Sequence, residues 1–563
     1  MSLYDICLAK TVYSSGRPNF SMFAALYRGT ASSDGEPSPM PDLDRRLLLA
    51  ALTAAGLSPR AALAATKPAA PGPRLGPAKP FSFDMLTALA KKNAGQSYRP
   101  PSAMPALARA AKVISGIDFD AAQKIAFRPD HALWKGTAAP YPVAFFHLSR
   151  YSNEPVVIHA IDNGKAREVL YGPDYFDYAA SGLDARQLDG LGFAGFRVMD
   201  GQDKPTDWLA FQGASYFRAN GQEAQYGASA RGIAINTAGA TAEEFPRFSE
   251  FWLDANGPAV TVYALLDGPS ITGAYKFDCV RNSNGAVVMN VHCQLFFRAG
   301  ISRLGVAPLT SMYWYGENER RKAADWRPEI HDNDGLAIWT GKGERIWRPL
   351  VNPPQVQTNS FLDNNPKGFG LIQRDRDFEN YQDDGAWYDK RPGIWVEPKG
   401  NWGAGAVQLV EIPTDDEIHD NIVAYWRPDG DIDAGGTLSF DYRLYWQDSE
   451  PAYPKTIARV VATRLGRGGI PGQNPWPRDK HKFVVDFTGG PLADLKQRFD
   501  IAPMASASRG KIDNAYVIKV VGTDRWRALF DLQVDGDGPV DLRLYLKLNN
   551  KTLSETWIYQ YFP

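Results

Sequence analysis

The hydrophobic positions of this chain follow two different periods. Residues 81–92 and 103–115 repeat at helical spacing, and Ser82 with Asp84 in the following turn supplies the signals that begin the first helix. From His131 onward the apolar residues come in short runs rich in Val, Phe, Tyr and Trp, which Gly, Asn, Asp and Pro interrupt. Such runs predict β-strands. The sequence therefore predicts an all-β protein with two helices near its start.

The predicted strands form two groups, which a turn-rich segment at 428–435 separates. Representative runs are 141–147, 155–161, 260–266, 285–297 and 335–339 in the first group, and 436–446, 482–487, 516–521, 526–534 and 540–548 in the second. One core rarely serves 563 residues. We therefore predict a large β-sandwich over 81–427 and a smaller immunoglobulin-like β-sandwich over 436–563.

Residues 40–64 have the features of an export signal. The pair Arg45-Arg46 precedes an apolar run at 47–57, and the small-residue sequence Ala-Leu-Ala follows at 62–64. The apolar run is about half the roughly 20 residues that a membrane-spanning helix needs. We expect a cleaved twin-arginine signal peptide and no membrane insertion. The alternative, an amphipathic helix packed on the domain, would not need this ending.

The segments on either side of this signal are predicted to lie outside the folded domains. Residues 1–39 show no hydrophobic periodicity, which indicates an over-extended start. Residues 65–80 are rich in proline and predict a linker. Export would deliver the mature chain to the periplasm.

Composition and charge narrow the classes of partner. The 62 basic and 63 acidic side chains nearly cancel, so no strong field directs the chain to nucleic acid or to an anionic membrane. The rings of 15 Trp and 25 Tyr suit stacking on sugars, although they equally suit the cores of large sandwiches. The seven histidines are scattered and no CxxC motif occurs, so we expect no metal and no cofactor.

Three cysteines, Cys7, Cys279 and Cys293, are too few for a framework of disulfides. Cys7 lies in the segment predicted to be absent from the mature protein. Cys279 and Cys293 flank two predicted strands and a turn at 282–285. They either form one disulfide across this hairpin or remain two buried thiols, and both alternatives stay open at this point.

Several ordered strings in the mature chain resemble the OpgG/OpgD family of periplasmic glucan biosynthesis proteins. They are 191–197 (LGFAGFR), 213–219 (GASYFRA), 229–232 (SARG), 243–246 (EEFP), 263–267 (YALLD), 307–312 (APLTSM), 364–370 (NNPKGFG) and 554–557 (SETW). The twin-arginine start and the C-terminal string YQYFP make the chain look like the D branch. The resemblance covers 81–563. It implies a mutarotase-like sandwich with a long cleft, followed by the immunoglobulin-like sandwich, and action on β-1,2-linked glucan.

The resemblance also implies two catalytic carboxyls, because related proteins act as inverting β-1,2-glucanases or transglycosylases. Inversion needs an acid for the leaving oxygen and a base for the attacking hydroxyl. The family pattern, carried onto 327–336 (RPEIHDNDGL) and 412–423 (IPTDDEIHDNIV), implies that Asp332 is the base and Asp420 the acid. On spacing alone, an Asp before Asn is most often a turn residue.

Residues 381–392 (YQDDGAWYDKRP) combine acids, rings and cations and predict a loop of the cleft. Tyr388 is the candidate for ordering the attacking hydroxyl, Trp387 for stacking on a sugar, and Arg391 for donating to sugar hydroxyls. The acids at 383 and 384 are rivals for the acid role. The alternative is a solvated loop between strands.

Two further rings, Trp314 and Tyr315, precede Asp332 and are candidates for subsites, or else they close one end of the sandwich. The same residues also fit a non-catalytic glucan-binding scaffold that partners an inner-membrane glucan synthase. A mutarotase or polysaccharide lyase is a third alternative that rests on fold alone. A homodimer suits such a fold, although no residue pattern specifies a self-complementary patch. Loss of Asp332 or Asp420 would abolish an enzyme's activity and leave a scaffold intact.

Overall fold

The computed structural model describes residues 72–563, so the predicted start segment, the signal peptide and Cys7 lie outside the described residues. The α-helices are α1 (Phe83–Ala94), α2 (Pro105–Gly116), α3 (Phe119–Gln123) and α4 (Phe378–Tyr381). The 3₁₀ turns are Pro101–Ala103, Pro129–His131, Pro173–Tyr175, Ala185–Leu188, Glu317–Lys322, Tyr388–Lys390 and Gly490–Leu492. Among these residues no helix is long and apolar enough to span a bilayer.

Most of the regular secondary structure in the described residues is strand, which confirms the predicted all-β class. Up to residue 447 they are β1 (Lys79–Pro80), β2 (Ala126–Phe127), β3 (Val143–Phe146), β4 (Val157–Asp162), β5 (Lys165–Glu168), β6 (Phe176–Asp177), β7 (Gly195–Met199), β8 (Asp207–Gln212), β9 (Tyr216–Ala219), β10 (Ser229–Arg231), β11 (Ile233–Ile235), β12 (Arg247–Asn256), β13 (Ala259–Asp267), β14 (Ile271–Arg281), β15 (Val287–Phe297), β16 (Leu304–Ser311), β17 (Tyr313–Tyr315), β18 (Ile330–His331), β19 (Gly335–Trp339), β20 (Arg345–Pro349), β21 (Gln357–Asn364), β22 (Gly368–Ile372), β23 (Gly393–Lys399), β24 (Ala404–Glu411), β25 (Ile422–Pro428) and β26 (Thr437–Gln447). The remainder are β27 (Arg459–Arg467), β28 (Lys480–Thr488), β29 (Ala502–Ala507), β30 (Lys511–Lys519), β31 (Trp526–Gln533), β32 (Val540–Leu548), β33 (Lys551–Thr552) and β34 (Thr556–Tyr561).

Two sheets form the large sandwich. One runs β5-β4-β12-β13-β14-β15-β26-β23-β22-β19-β20, and the other runs β21-β24-β25-β16-β10-β9-β8-β7-β3. Between them lies a continuous core rich in rings, including the fully buried side chains of Phe211, Phe277, Trp426 and Trp446. Burial of such large apolar side chains is the main favourable term that holds the two sheets together.

The predicted start of helix α1 and the predicted hairpin around residues 282–285 are both present in the structure. The Ser82 hydroxyl accepts a hydrogen bond from Met85 N and caps α1, as the sequence predicts. Strands β14 and β15 form the predicted hairpin, in which Cys279 pairs with Met289 and Cys293 pairs with Tyr275. The two cysteines are therefore four positions apart in register. Both are free, buried thiols.

The smaller sandwich packs β27-β28-β31-β30 against β34-β32-β29 around Phe483, Phe530 and Trp557. Its second sheet continues the large sheet of the first sandwich, because β34 pairs with β20 in parallel register. One hydrogen-bonded sheet thus runs through both sandwiches.

The predicted boundary at 428–435 is wrong. Strand β26, which was expected to open the second sandwich, lies between β15 and β23 in the middle of the large sheet. The turn-rich segment carries the chain from β25 in one sheet to β26 in the other, and Ile432 within it bridges to Ile301. Gly, Pro and Asp mark turns wherever they occur, including turns inside a domain.

Candidate active site

A long cleft with a volume of about 1690 Å³ opens along the large sandwich. Its walls come from α3, β3, the β7–β9 strands and the loops at 383–391 and 417–418. One part is aromatic, with Phe119, Phe127 and Phe146. The polar side chains that line it include Arg197, Asp207, Arg218, Tyr226, Arg327, Asp332, Asp383, Tyr388, Arg391 and Glu417.

Asp332 is fully buried in the wall of this cleft, directly after β18. Its backbone N donates to the carbonyl oxygen of Met312 over 2.9 Å, which joins the loop to the end of β16. The next residue, Asn333, is also held there, because Ser311 Oγ donates to its Oδ1 over 2.9 Å. The Asp332 loop is therefore fixed to residues 311 and 312 on both sides of the carboxyl.

Asp420 is fixed to the two residues that flank this pair. Its Oδ2 accepts a hydrogen bond of 3.4 Å from Thr310 Oγ1, and the side chain is buried. The neighbouring Asn421 exchanges two hydrogen bonds with the backbone of Tyr313, one of 2.8 Å and one of 2.9 Å. Four consecutive residues, 310–313, thus anchor both predicted catalytic loops.

The partner of Asp332 is Arg391. Its Nη1 donates to Asp332 Oδ1, while its Nε and Nη2 donate to the carbonyl oxygen of Ala386. The guanidinium lies 4.2 Å from the centre of the Tyr388 ring. Burial alone would lower the pKa of Arg391, but Asp332 and Tyr388 raise it. Arg391 therefore remains a cation that balances the carboxylate beside it.

Tyr388 connects this pair to a second set of charges. Its hydroxyl donates to Glu417 Oε2, and the same carboxylate accepts two bonds, of 3.0 Å and 2.9 Å, from Arg327. Burial raises the pKa of Tyr388 well above its ordinary value; Arg391 opposes this rise and Glu417 adds to it. The phenol therefore keeps its proton and donates it in the hydrogen bond to Glu417 at the wall of the cleft.

Asp420 lines a small cavity of about 40 Å³ together with Tyr151, Gln212 and Tyr216. Arg218 lines both this cavity and the long cleft, so the two spaces are neighbours. Asp420 thus lies in a pocket that adjoins the long cleft, and Arg218 belongs to the lining of both.

A second charged cluster also lines the cleft. Tyr226 OH donates to Asp207 Oδ2 over 2.6 Å, and the Arg218 guanidinium lies 4.6 Å from the Tyr226 ring centre. Arg197 Nη1 is 3.7 Å from Asp207 Oδ1. Burial raises the pKa of Asp207, although Arg197 and Tyr226 act against this rise.

Of the seven predicted site residues, Asp332, Tyr388 and Arg391 line the long cleft, and Asp420 lines the adjoining pocket. The three rings predicted for sugar stacking are not among the residues that line these two spaces. Tyr315 is fully buried and its hydroxyl donates to the Arg327 carbonyl, and Trp314 packs in the same cluster. The Trp387 ring carries Lys390 Nζ 3.8 Å from its centre.

The two rival acids at 383 and 384 differ in their surroundings. Asp383 accepts from the backbone N of Gly385 and Ala386 and from Arg327 Nη1. Burial raises its pKa, but these hydrogen bonds outweigh burial and hold the pKa below the ordinary value. Asp384 is exposed. Asp383 is thus an ionised residue that shapes the loop, which disfavours it as an acid.

Sequence reasoning missed most of the polar cleft wall. Glu417 stands three residues before Asp420, in the same loop, and that spacing was the available signal. Arg327 begins the string that contains Asp332 and was not singled out. Asp207 and Tyr226 are joined only by the fold, and nothing in their local sequence marks them. Among residues 72–563 no group of three or more His, Cys, Asp or Glu side chains could hold a metal.

The fold and the site define a protein of two joined β-sandwiches with a long cleft lined by carboxylates, arginines and rings. Residues 81–561 match the model of the family described as periplasmic glucan biosynthesis protein, MdoG, and the chain belongs to this family. The resemblance seen in the sequence is thereby confirmed.

Similar proteins cover nearly the whole chain. Glucans biosynthesis protein D 2 of Ralstonia nicotianae is 51% identical over 533 residues, which are 92% of this chain and 96% of that protein. Glucans biosynthesis protein D of Xanthomonas oryzae pv. oryzae is 47% identical over 92% of this chain and 98% of its own. Glucans biosynthesis protein D of Stenotrophomonas maltophilia is 46% identical over 91% of this chain and 96% of its own. A solved polysaccharide lyase, with a TM-score of 0.21 and 10% identity over 65% of this chain and 44% of its own, is too distant to bear on function.

Proposed function

We propose that this protein acts in the synthesis of periplasmic glucans by inverting cleavage or transglycosylation of a β-1,2-linked glucan. The observation that carries the proposal is the anchoring of two buried carboxyls, Asp332 and Asp420, by four consecutive residues beside a cleft of about 1690 Å³. A cleft of this size accommodates several sugar units of a chain. The D-type names of the relatives support the glucan as substrate.

Asp332 is the proposed general base. Its carboxylate is paired with Arg391, and a neighbouring cation favours the ionised form that a base requires. The Tyr388 phenol beside it, held by Glu417, is the proposed group that orders the attacking hydroxyl. An attacking water would give hydrolysis, whereas an attacking sugar hydroxyl would give transfer.

Asp420 is the proposed general acid. It is buried, its near neighbour Thr310 supplies a hydroxyl, and Tyr216 and Phe217 give its pocket an aromatic wall. An acid in such a position donates its proton to the glycosidic oxygen as the bond breaks. Attack on the opposite face of the sugar would then release a product of α configuration from a β-linked chain.

The proposal is tested by incubating the protein with linear β-1,2-glucan, following products by mass spectrometry and the new anomeric proton by NMR. Wild type should give shorter chains or rings with α configuration. Asp420→Asn should lower the rate by at least about 100-fold, as expected for loss of a general acid. Asp415→Asn, an exposed carboxylate of the same loop, is the matched control and should retain activity.

The alternative is a glucan-binding scaffold that partners the inner-membrane glucan synthase, which the word biosynthesis in the relatives' names favours. An unchanged glucan that still binds to wild type, with equal binding by Asp332→Asn and Asp420→Asn, would support this alternative and overturn the catalytic proposal. Export to the periplasm belongs to the same proposal, and detection of the processed chain in the periplasmic fraction tests it.

A further inference from the structure

His331 is the residue directly before Asp332, and its side chain points away from the cleft into a closed polar environment. It is fully buried. The ring stacks on Tyr313, with centroids 5.4 Å apart, and meets Tyr381 edge-on at 5.2 Å. A fully buried polar ring needs partners for both of its nitrogens.

Both nitrogens have partners. Nε2 lies 2.9 Å from Glu329 Oε2, and Nδ1 lies 3.2 Å from Gln373 Oε1. Because a carboxylate and an amide oxygen are acceptors only, this arrangement satisfies a ring that carries a proton on each nitrogen. Burial alone would lower the pKa of His331, but Glu329 outweighs burial, and Asp334 and Asp375 raise it further.

Gln373 extends the contact to the other side of the site. Its Nε2 donates to the backbone carbonyl of Tyr388 over 3.1 Å and to Tyr381 OH over 2.8 Å. With Oε1 turned to His331, the amide must present its nitrogen to the 381–392 loop. His331 is thereby linked to the backbone that carries Tyr388 and, three residues later, Arg391.

We propose that His331 and Gln373 are positioning residues for the reaction. Together they hold the Asp332 loop and the Tyr388–Arg391 loop at a fixed separation, from the side that faces away from the cleft. This inference rests on the proposed function. Neither side chain lines the cleft, and neither touches the substrate. Their effect passes through the position of Asp332 relative to Tyr388 and Arg391, which come from different loops.

The charge on the ring is what orients the amide. A doubly protonated imidazole donates through Nδ1 and can accept nothing, so Gln373 has to face it with oxygen. A neutral ring that kept its proton on Nε2 would turn Nδ1 into an acceptor and would favour the flipped amide. The flipped amide would set its oxygen against the Tyr388 carbonyl. The groups that face the ring are Glu329, Gln373, Asp334, Asp375 and the rings of Tyr313 and Tyr381.

The test compares His331→Gln, Gln373→Met and the double variant in the glucan assay. We expect each single variant to lower kcat by about 10- to 100-fold with little change in KM, since small displacements of reacting groups cost rates of this order. The double variant should be no worse than the poorer single variant, because both changes break one linkage. In His331→Gln the buried carboxylate of Glu329 loses its charged partner, which could unfold the protein. The variant Glu329→Gln/His331→Gln removes this carboxylate as well, so that a folded protein without the His331 ring can be assayed.

His159→Gln is the matched control, because His159 also pairs with a glutamate, Glu250, and stacks on an aromatic ring, but lies in β4 away from the cleft. A second readout is the ¹⁵N NMR spectrum of the imidazoles, in which the His331 ring should keep both protons to a higher pH than an exposed imidazole does. Unchanged kcat in folded His331 and Gln373 variants, or a His331 ring that is neutral where an exposed imidazole is still charged, would overturn the inference while an active wild type still supported the proposed function. An inactive wild type would overturn both.

Discussion

Arg391 neutralises the carboxylate of Asp332, which is fully buried in the cleft wall. Replacing Arg391 by Met removes this cation from beside a buried carboxylate. Loss of one partner from a buried pair costs about 3 to 5 kcal/mol of stability. Urea unfolding should show a loss of this order for Arg391→Met, and the glucan assay should show little activity.

The double variant Asp332→Asn/Arg391→Met separates the two effects. It should recover part of the lost stability, because no uncompensated charge remains, but it should stay inactive. Lys390→Met, which removes the adjacent cation from the Trp387 ring, serves as the control and should leave both quantities nearly unchanged. Equal stability of Arg391→Met and wild type would contradict the assigned charge balance.

At the scale of single residues, the sequence predicted those site members that stand in recognisable strings. Asp332, Tyr388 and Arg391 are in the cleft wall and Asp420 lies in the adjoining pocket. Trp314 and Tyr315, predicted to stack on sugars, pack in one cluster with Met312, because a ring near a cleft packs into the nearest core as readily as it faces the cleft. The stacking role predicted for Trp387, which is half-buried, stays a prediction. Contacts such as Glu417 with Tyr388 depend on how two distant loops approach each other, and no local pattern encodes that approach.

At the scale of elements, the segment 310–313 at the end of β16 is the common support of two loops. Asn421 is the strongest tie, since its buried amide also donates to the carbonyl oxygen of Ile412 over 2.9 Å. Its removal would leave the Tyr313 N–H and two carbonyl groups without partners. Each unsatisfied buried group costs about 1 to 3 kcal/mol.

We therefore expect Asn421→Ala to lose about 3 kcal/mol or more of stability and to lower kcat of the glucan reaction, because Asp420 is the adjacent residue. Chemical unfolding and steady-state kinetics on the same preparation measure the two effects. Asn359→Ala, which removes a hydrogen bond of 3.3 Å from Asn359 in β21 to Gln560 in β34, is the control for loss of a half-buried amide away from the site. A stability loss without any change in kcat would show that Asn421 does not hold Asp420 in place.

The elements themselves were largely predictable, and the boundary was not. The run predicted at 335–339 is β19, and the run at 540–548 is β32, with the same ends. The first is an apolar run and the second alternates apolar with polar residues, and clear turns lie on either side of both. Strand β26 has equally clear ends, but which sheet it joins is decided by its pairing with β15 and β23, whose sequences are far away. The hydrophobic period and the turn signals define where a strand begins and ends, but they do not define which strands it pairs with.

At the scale of the whole molecule, the two sandwiches are joined by charges as well as by the shared sheet. Arg374 of the large sandwich contacts Glu450 and Glu555, and Glu317 pairs with Arg464 Nη2 at 2.9 Å. The backbone N of Thr463 donates to the same glutamate. Because Glu317 belongs to the segment that leads to Asp332, the docking of the smaller sandwich is connected to the Asp332 loop.

Glu317 gives this docking a dependence on pH. Burial raises its pKa to about 8; Arg464 lowers it, and Glu329 raises it. An unfolded glutamate has a pKa of about 4.3, so between this value and about 8 the folded state binds more protons than the unfolded state. The stability that this group contributes therefore falls as the pH rises through that window, and it does not fall further at higher pH.

Glu317→Gln removes the titrating group. The free energy of unfolding of the variant, relative to that of wild type, should therefore increase between pH 5 and pH 8. We expect a relative gain of about 1 to 2 kcal/mol, less than a full shift would give, because the carboxyl is partly exposed and Arg464 remains beside it. Glu344→Gln, which replaces an exposed carboxylate bonded to Arg543 and Thr556 at the same seam, should show a much smaller change. A constant difference between Glu317→Gln and wild type at both pH values would mean that Glu317 is ionised throughout this range and stays ion-paired with Arg464.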